Sequence, residues 1–384
     1  MNTKELDLQY VANTYARFPL EIVRGKGAKA YDENGKEYID LGSGIAVNTF
    51  GFSDEKWVSA VTNQLNSLQH TSNLYYTSPC AELAKLICEK TGMKKVFFGN
   101  SGAEANECAI KLARAYGEKK KGKECHKIIC LEQSFHGRTL ATLAATGQDV
   151  FHAKFNPLPE GFLFARANDI ESVKALLEDE NVCAVFMEMI QGEGGVNVLE
   201  DDFVKEAYAL TREKDVLFMA DEVQTGNGRT GKLYGYMHYG IVPDVFTTAK
   251  GLGGGLPIGA CVMGEKAEGL FASGDHGSTF GGNPAVCAGA VSIISRLTDE
   301  FLSEVEKKGE YIKEKLLSFG IKDVSGKGLM IGFLSDKDSS EIIKEAREKG
   351  VLLLKAKNKV RLLPPLNITY EEIDKALEVI SSVL

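Results

Sequence analysis

The sequence predicts an α/β protein in which helices cover a mostly parallel sheet, with a smaller α+β unit after it. Three observations carry this prediction. From residue 95 onward, short apolar runs alternate with helical stretches, the rhythm of strand–helix–strand units. After residue 320 the pattern changes to shorter strands and helices. The 384 residues suffice for one large core or two domains, and 40 glycines exceed the average usage of about 7%, which suggests tight turns and close backbone approaches.

Residues 1–20 read as an amphipathic lead-in ending at Phe18-Pro19. Asp32-Glu33-Asn34-Gly35 is a turn signal, so 22–31 and 36–41 are expected to form a β-hairpin. A helix is expected over 54–69, capped by Ser53 or Asp54, with Trp57, Val58, Val61, Leu65 and Leu68 as its apolar positions. Ser78-Pro79 opens a second helix over 79–91. A short strand at 96–98 then leads through a small-residue turn at 99–102 into a helix from Ala103 to Tyr116. Further strands are expected at 126–131, 182–187, 216–220 and 245–249, with a helix at 201–214. Residues 284–318 read as largely helical, and a last helix starts at Tyr370.

Composition narrows the function classes. The net charge of −8, from 45 basic and 53 acidic residues, argues against nucleic-acid or anionic-membrane partners, because phosphate binding needs a basic face. No apolar run approaches the ~20 residues that span a bilayer. The opening MNTKELDLQY has neither signal-peptide nor transit-peptide character, so a cytoplasmic location is expected. None of the eight cysteines forms a Cys-x-x-Cys pair, and Cys125-His126 with Cys130 lacks a fourth ligand nearby, so no metal site is expected.

Four stretches carry chemistry. In 241–260 the apolar run Val245–Ala249 ends in Lys250 and a glycine-rich turn. Ligands of open α/β sheets gather at strand carboxyl ends, and a desolvated amine there loses its proton readily and can attack a carbonyl. In 216–224 another apolar run ends in Asp221, a carboxylate that needs a cationic or hydrogen-bonding partner if buried. In 99–107, GNSGAEANE, a strand, a small turn and a helix start make an anion site at Gly102 and Ala103. SFHGRT at 134–139 offers Phe135 to cover an aromatic ring and Arg138 to fork onto a carboxylate; His136 could pack beside that ring, act as acid or base, or be purely structural. Ser278 and Thr279 add hydroxyls in a glycine-rich loop. Each stretch alone has a plainer reading: a solvated loop lysine, a capping or metal-binding aspartate, an ordinary helix cap, a plain loop. Together they match the phosphate, pyridine nitrogen and aldehyde of pyridoxal 5′-phosphate. A nicotinamide or P-loop nucleotide fits less well, because Leu256-Pro257 rather than a helix follows the glycines, and no G-x-x-x-x-G-K-[ST] is present.

SGAEANE at 101–107, SFHGRT at 134–139, QGEGG at 191–195, DEVQTGNGRTG at 221–231, TTAKGLGGGLPIGA at 247–260 and GSTFGGNP at 277–284 resemble the class III pyridoxal-phosphate aminotransferases. The likeness runs from YARFPLEIV near the start to VRLLPPLNIT near the end and, within the class, is greatest to the acetylornithine aminotransferases. It implies a fold-type I homodimer with shared active sites. Its large cofactor domain (51–285) would hold a mostly parallel seven-stranded sheet, with a smaller domain at 286–384 that the N-terminal segment 1–50 joins. It also implies roles: Lys250 carries the cofactor and shuttles protons, and Asp221 holds the pyridine nitrogen protonated. Ser101, Gly102 and Ala103 bind phosphate, with Thr279 from the partner chain. Phe135 and Val223 cover the ring faces with His136 beside them, and Gln224 approaches the phenolic oxygen. Arg138 binds a substrate carboxylate with Ser278 near it, and Arg361 receives the α-carboxylate of glutamate, pairing with Glu193 when the donor is basic.

The implied reaction passes the δ-amino group of N2-acetyl-L-ornithine to 2-oxoglutarate, giving N-acetylglutamate semialdehyde and L-glutamate, a step of arginine biosynthesis. Gly44 stands where the ornithine branch tends to carry a tyrosine, which leaves room for an N-acyl cap. N-succinyl-diaminopimelate, free ornithine and 4-aminobutyrate are the other donors to weigh. A decarboxylase, aminomutase or racemase of the class would keep Lys250 and Asp221, whereas a non-enzymatic binding protein would not need them.

Overall fold

A computed structural model describes all 384 residues. At its centre lies a seven-stranded sheet in the order Lys95–Gly99, Gly259–Met263, Val245–Thr248, Leu217–Asp221, Val182–Glu188, Lys127–Leu131, Phe162–Ala165. Gly259–Met263 runs antiparallel to both its neighbours, and the other adjacent pairs are parallel. Two of these strands escaped the sequence reading. FLFA at 162–165 is only four residues long, and GACVM at 259–263 follows the glycine-rich turn without alternation.

The central strands are buried along their whole length, as expected where helices cover both faces. Successive side chains still divide between the faces. Cys130, Phe186, Leu217, Met219 and Val245 pack under the helix Gly102–Lys121 with its Cys108, Leu112 and Ala113. Ile129, Leu131, Val185, Met187, Phe218, Ala220 and Phe246 enter the larger core on the opposite face. The shared strand direction brings Gly99, Leu131, Glu188, Asp221 and Thr248 to one edge of the sheet.

The expected hairpin of 22–41 is a three-stranded antiparallel sheet instead. Its first arm breaks at Gly27, whose φ of +58° turns the chain between Ile22–Lys26 and Lys29–Asp32. Val351–Leu352 joins the third strand, Glu37–Asp40, in parallel, so the two ends of the chain share one sheet. A second four-stranded sheet orders Asp323–Lys327, Met330–Leu334, Lys359–Leu362 and Leu354–Ala356 antiparallel. The helical stretch 284–318 is two helices, Pro284–Ile294 and Asp299–Ser318, the second capped by Thr298. The first packs against Glu55–Ser67 and Ser78–Thr91. Of the five apolar positions expected to anchor Glu55–Ser67, only Val61 is buried; Val58, Leu65 and Leu68 are exposed. The lead-in helix Thr3–Tyr10 buries nothing. No helix is long and apolar enough to cross a membrane.

Candidate active site

A cavity of about 460 Å³ opens at this sheet edge, within the size range of small-molecule sites. Lys250 lines it two residues past the end of the strand Val245–Thr248. The turn is pinned from two sides: Thr49 donates to the Gly251 carbonyl (2.7 Å), and Asn227 Nδ2 donates to Thr248 Oγ1 (2.9 Å) and the Ala249 carbonyl (3.1 Å). These bonds hold Lys250 at φ +44°, a left-handed conformation that a non-glycine residue keeps only when its surroundings impose it. Burial lowers the pKa of its amine, and Glu193 opposes that shift.

Asp221 lines the same cavity and is 3% exposed. Three donors surround its carboxylate: Asn106 Nδ2 (2.8 Å), His136 Nδ1 (2.8 Å) and the Val223 N–H (3.0 Å). His136 lies flat on Phe186, with ring centroids 4.3 Å apart, and Asn106 also donates to its carbonyl (2.6 Å). The histidine is thus fixed as a hydrogen-bond partner of Asp221 while also lining the cavity. Its Nε2 is buried without a partner.

Ser101 caps the helix Gly102–Lys121, its hydroxyl accepting from the Glu104 N–H at 3.1 Å. Gly102 and Ala103 form the first turn on the cavity wall, where unpaired backbone N–H groups and the helix dipole suit an anion. Gly259 is required there, because a Cβ on it would stand 1.9 Å from the Ser101 carbonyl oxygen. Phe135 and Val223 also line the cavity, and Val223 presses on Gly102.

Arg361 is not a surface charge on a late strand. Its side chain is 3% exposed, and Nη1 donates to Glu193 Oε1 (2.7 Å) and Gln224 Oε1 (3.2 Å). Glu193, Gln224 and Arg138 line the cavity with Lys250. Arg138 sits over the Phe151 ring, 4.3 Å from its centroid. Ser278 and Thr279 are not in this cavity of their own chain. Ser278 Oγ bonds Asn100 Nδ2 (3.1 Å) and the Gly281 N–H (3.0 Å), and Thr279 is exposed in a neighbouring depression. Gly44 also lies off the cavity wall, whereas Val47 is on it.

Sequence reasoning missed Asn106, Glu188 and Val47. Glu188 ends the apolar strand VCAVFME just as Asp221 ends LFMAD, so the same signal could have found it. Asn106 lies on the buried face of its helix, where only the fold shows its reach to Asp221.

These residues fit pyridoxal 5′-phosphate. One cavity offers a desolvated amine, a buried carboxylate with three donors, a helix start for a phosphate, and room for a ring.

The family pattern described as Aminotransferase class-III matches residues 10–384. The acetylornithine aminotransferase of Haemophilus ducreyi is 46% identical over 384 residues, covering 99% of this chain and 98% of that one. Among solved structures, the ornithine aminotransferase from Toxoplasma gondii, described with partial occupancy of PLP at its active site, aligns with a TM-score of 0.95 at 33% identity (99% of this chain, 93% of that one). N-acetylornithine aminotransferase from Stenotrophomonas maltophilia aligns at 0.86 and 32% (99% and 97%). With the family pattern running to the last residue and these relatives matched nearly end to end, the chain belongs to the class-III aminotransferases.

Proposed function

We propose that this protein transfers the δ-amino group of N2-acetyl-L-ornithine to 2-oxoglutarate with pyridoxal 5′-phosphate as cofactor, releasing N-acetyl-L-glutamate 5-semialdehyde and L-glutamate. The supporting observation is a pair of arginines, one free and one engaged: Arg138 lines the Lys250 cavity, and Arg361 is bonded to Glu193 and Gln224 of its wall. Arg361 is neutralised by Glu193, while no carboxylate pairs with Arg138. A donor with one carboxylate then binds through Arg138, and a dicarboxylate acceptor uses both arginines once Glu193 swings aside.

The cofactor, when bound, supplies an aldehyde and an electron-withdrawing ring on which amine and carbonyl exchange. Lys250 would hold it, and its Nζ, whose pKa burial lowers, would move the proton of the reacting carbon. Asp221, held by its three donors, would pair with the ring nitrogen and favour its protonated form. Ser101, Gly102 and Ala103 take the phosphate, Phe135 and Val223 the ring faces, and Gln224 the phenolic oxygen.

A homodimer completes the site in this reading. Thr279 lies away from the cavity of its own chain, next to the exposed Phe280, and Leu74, Tyr75 and Tyr76 are exposed nearby, an apolar surface suited to a second copy. Eight unpaired thiols, six of them buried, support a reducing compartment such as the cytoplasm. The 0.95 alignment to an ornithine aminotransferase favours free ornithine as a second reading.

A panel of N2-acetylornithine, N-succinyl-diaminopimelate, ornithine and 4-aminobutyrate, each with 2-oxoglutarate, tests the proposal by glutamate formed. The highest kcat/KM is expected with acetylornithine. A tenfold preference for another donor would replace the substrate, and no glutamate with any donor would remove the reaction.

A further inference from the structure

Glu188 closes the fully buried strand Val182–Glu188 and stands in register with Asp221 on the parallel neighbour. In-register residues of parallel strands leave the sheet on the same face, about 4.8 Å apart. Both carboxyls line the Lys250 cavity. Their surroundings differ. Asp221 has three hydrogen-bond donors, whereas Glu188 has one, the Phe135 N–H, which donates to Oε2 at 3.0 Å.

We propose that Glu188 is a positioning residue that works as a neutral acid, leaving the single negative charge of this carboxyl pair on Asp221 while fixing the backbone of Phe135. The proposal rests on the reading of the site given above. Two adjacent carboxyls in a desolvated site do not both ionise, and the proton settles where fewer donors stabilise the anion. The other charged groups facing Glu188 do not reverse this. Lys250 follows the strand Val245–Thr248 and serves both acids; Glu193 lies in the turn after Glu188's own strand and is itself acidic; Arg361, on Lys359–Leu362, is engaged by Glu193. His136, from the segment after Lys127–Leu131, gives its Nδ1–H to Asp221. Burial and the charge of Asp221 together raise Glu188 well above the usual carboxylate range.

The consequence is a division of labour. An ionised Glu188 would set a second negative charge beside Asp221, and the repulsion would draw a proton onto one of the two carboxyls. A neutral Glu188 still accepts the Phe135 N–H and holds the residue that covers the ring.

Glu188→Gln keeps the acceptor and the neutrality; Glu188→Ala loses the acceptor and leaves the N–H unpaired. The protein is titrated with pyridoxal phosphate. We expect E188A to bind it about tenfold or more weakly than wild type and E188Q to recover most of that loss. The cofactor-free protein is compared by infrared difference spectroscopy, wild type minus E188Q, at neutral pH. A protonated-carboxyl C=O band is expected. Carboxylate bands alone would overturn the neutral-acid assignment, and E188Q binding as poorly as E188A would overturn the positioning role. Wild-type protein that binds no pyridoxal phosphate would overturn the reading of the site and the positioning role with it, while the infrared result would still decide the protonation.

Discussion

Replacing Glu193 with Gln should pull the two halves of the reaction apart. Arg361 is 3% exposed and Glu193 31% exposed, with 2.7 Å between Nη1 and Oε1. A hydrogen bond to a charged group is worth about 1.5–3 kcal/mol, and the partial exposure of Glu193 discounts this to about 1–2 kcal/mol. In the proposed reaction the α-carboxylate of 2-oxoglutarate displaces that bond in wild type. Removing the charge of Glu193 should therefore strengthen 2-oxoglutarate binding by roughly 5- to 30-fold, at 1.4 kcal/mol per tenfold. The donor half suffers instead, because an uncovered Arg361 competes with Arg138 for the donor's carboxylate and turns the δ-amine away from Lys250. Its kcat/KM should fall by a similar factor. Stopped-flow absorbance of each half-reaction in single turnover measures both. Equal losses in the two halves, or no change in either, would refute the switching role of the Arg361–Glu193 pair.

Three further outcomes follow from the structure. Gly44→Tyr meets nothing closer than Asn48 Nδ2 at 3.5 Å from its Cβ, but φ +66° strains any side chain there, so the readout is a ratio: kcat/KM for acetylornithine should fall at least tenfold relative to ornithine, read from paired progress curves. Gly102→Ala would put a Cβ 2.7 Å from Val223 Cγ1; overpacking of this kind costs about 1–3 kcal/mol, so the Kd for pyridoxal phosphate should rise about tenfold in an absorbance titration. Glu222 is fully buried, accepting from Thr225, Gly235 and Tyr236, and burial raises its carboxyl to about 7 from 4.5. A raised folded value gives stability that is complete below pH 4.5 and is lost as pH rises through 7. Wild-type stability should thus fall relative to Glu222→Gln between pH 5 and 8, by up to about 3 kcal/mol, and urea melts at both pH values check this.

Lys250 and Asp221 were legible in the sequence because each ends an apolar run, and a charge at such a place requires a reason. Glu188 carried the same mark, but the run VCAVFME gave no companion motif to draw attention to it. Arg361 could be given a role only by resemblance, since the strand KVRL reads equally well as a surface edge. Its burial depends on pairing with Met330–Leu334 on one side and Leu354–Ala356 on the other, contacts set by the fold rather than by local pattern. Helix periodicity misled at Val58 and Leu65, which stay exposed although their spacing matches an apolar face. Thr279 shows a different limit: the loop that holds it is folded by its own chain through Asn73 and Asn100, yet its hydroxyl lies away from that chain's cavity.

Every role proposed for the site depends on the amine of Lys250 holding the cofactor. Borohydride reduction of the pyridoxal-phosphate-loaded protein, followed by peptide mass spectrometry, tests it directly. One phosphopyridoxyl mass is expected, on the peptide containing Lys250, and none in Lys250→Ala. A label on a different lysine, or full turnover by Lys250→Ala, would contradict it.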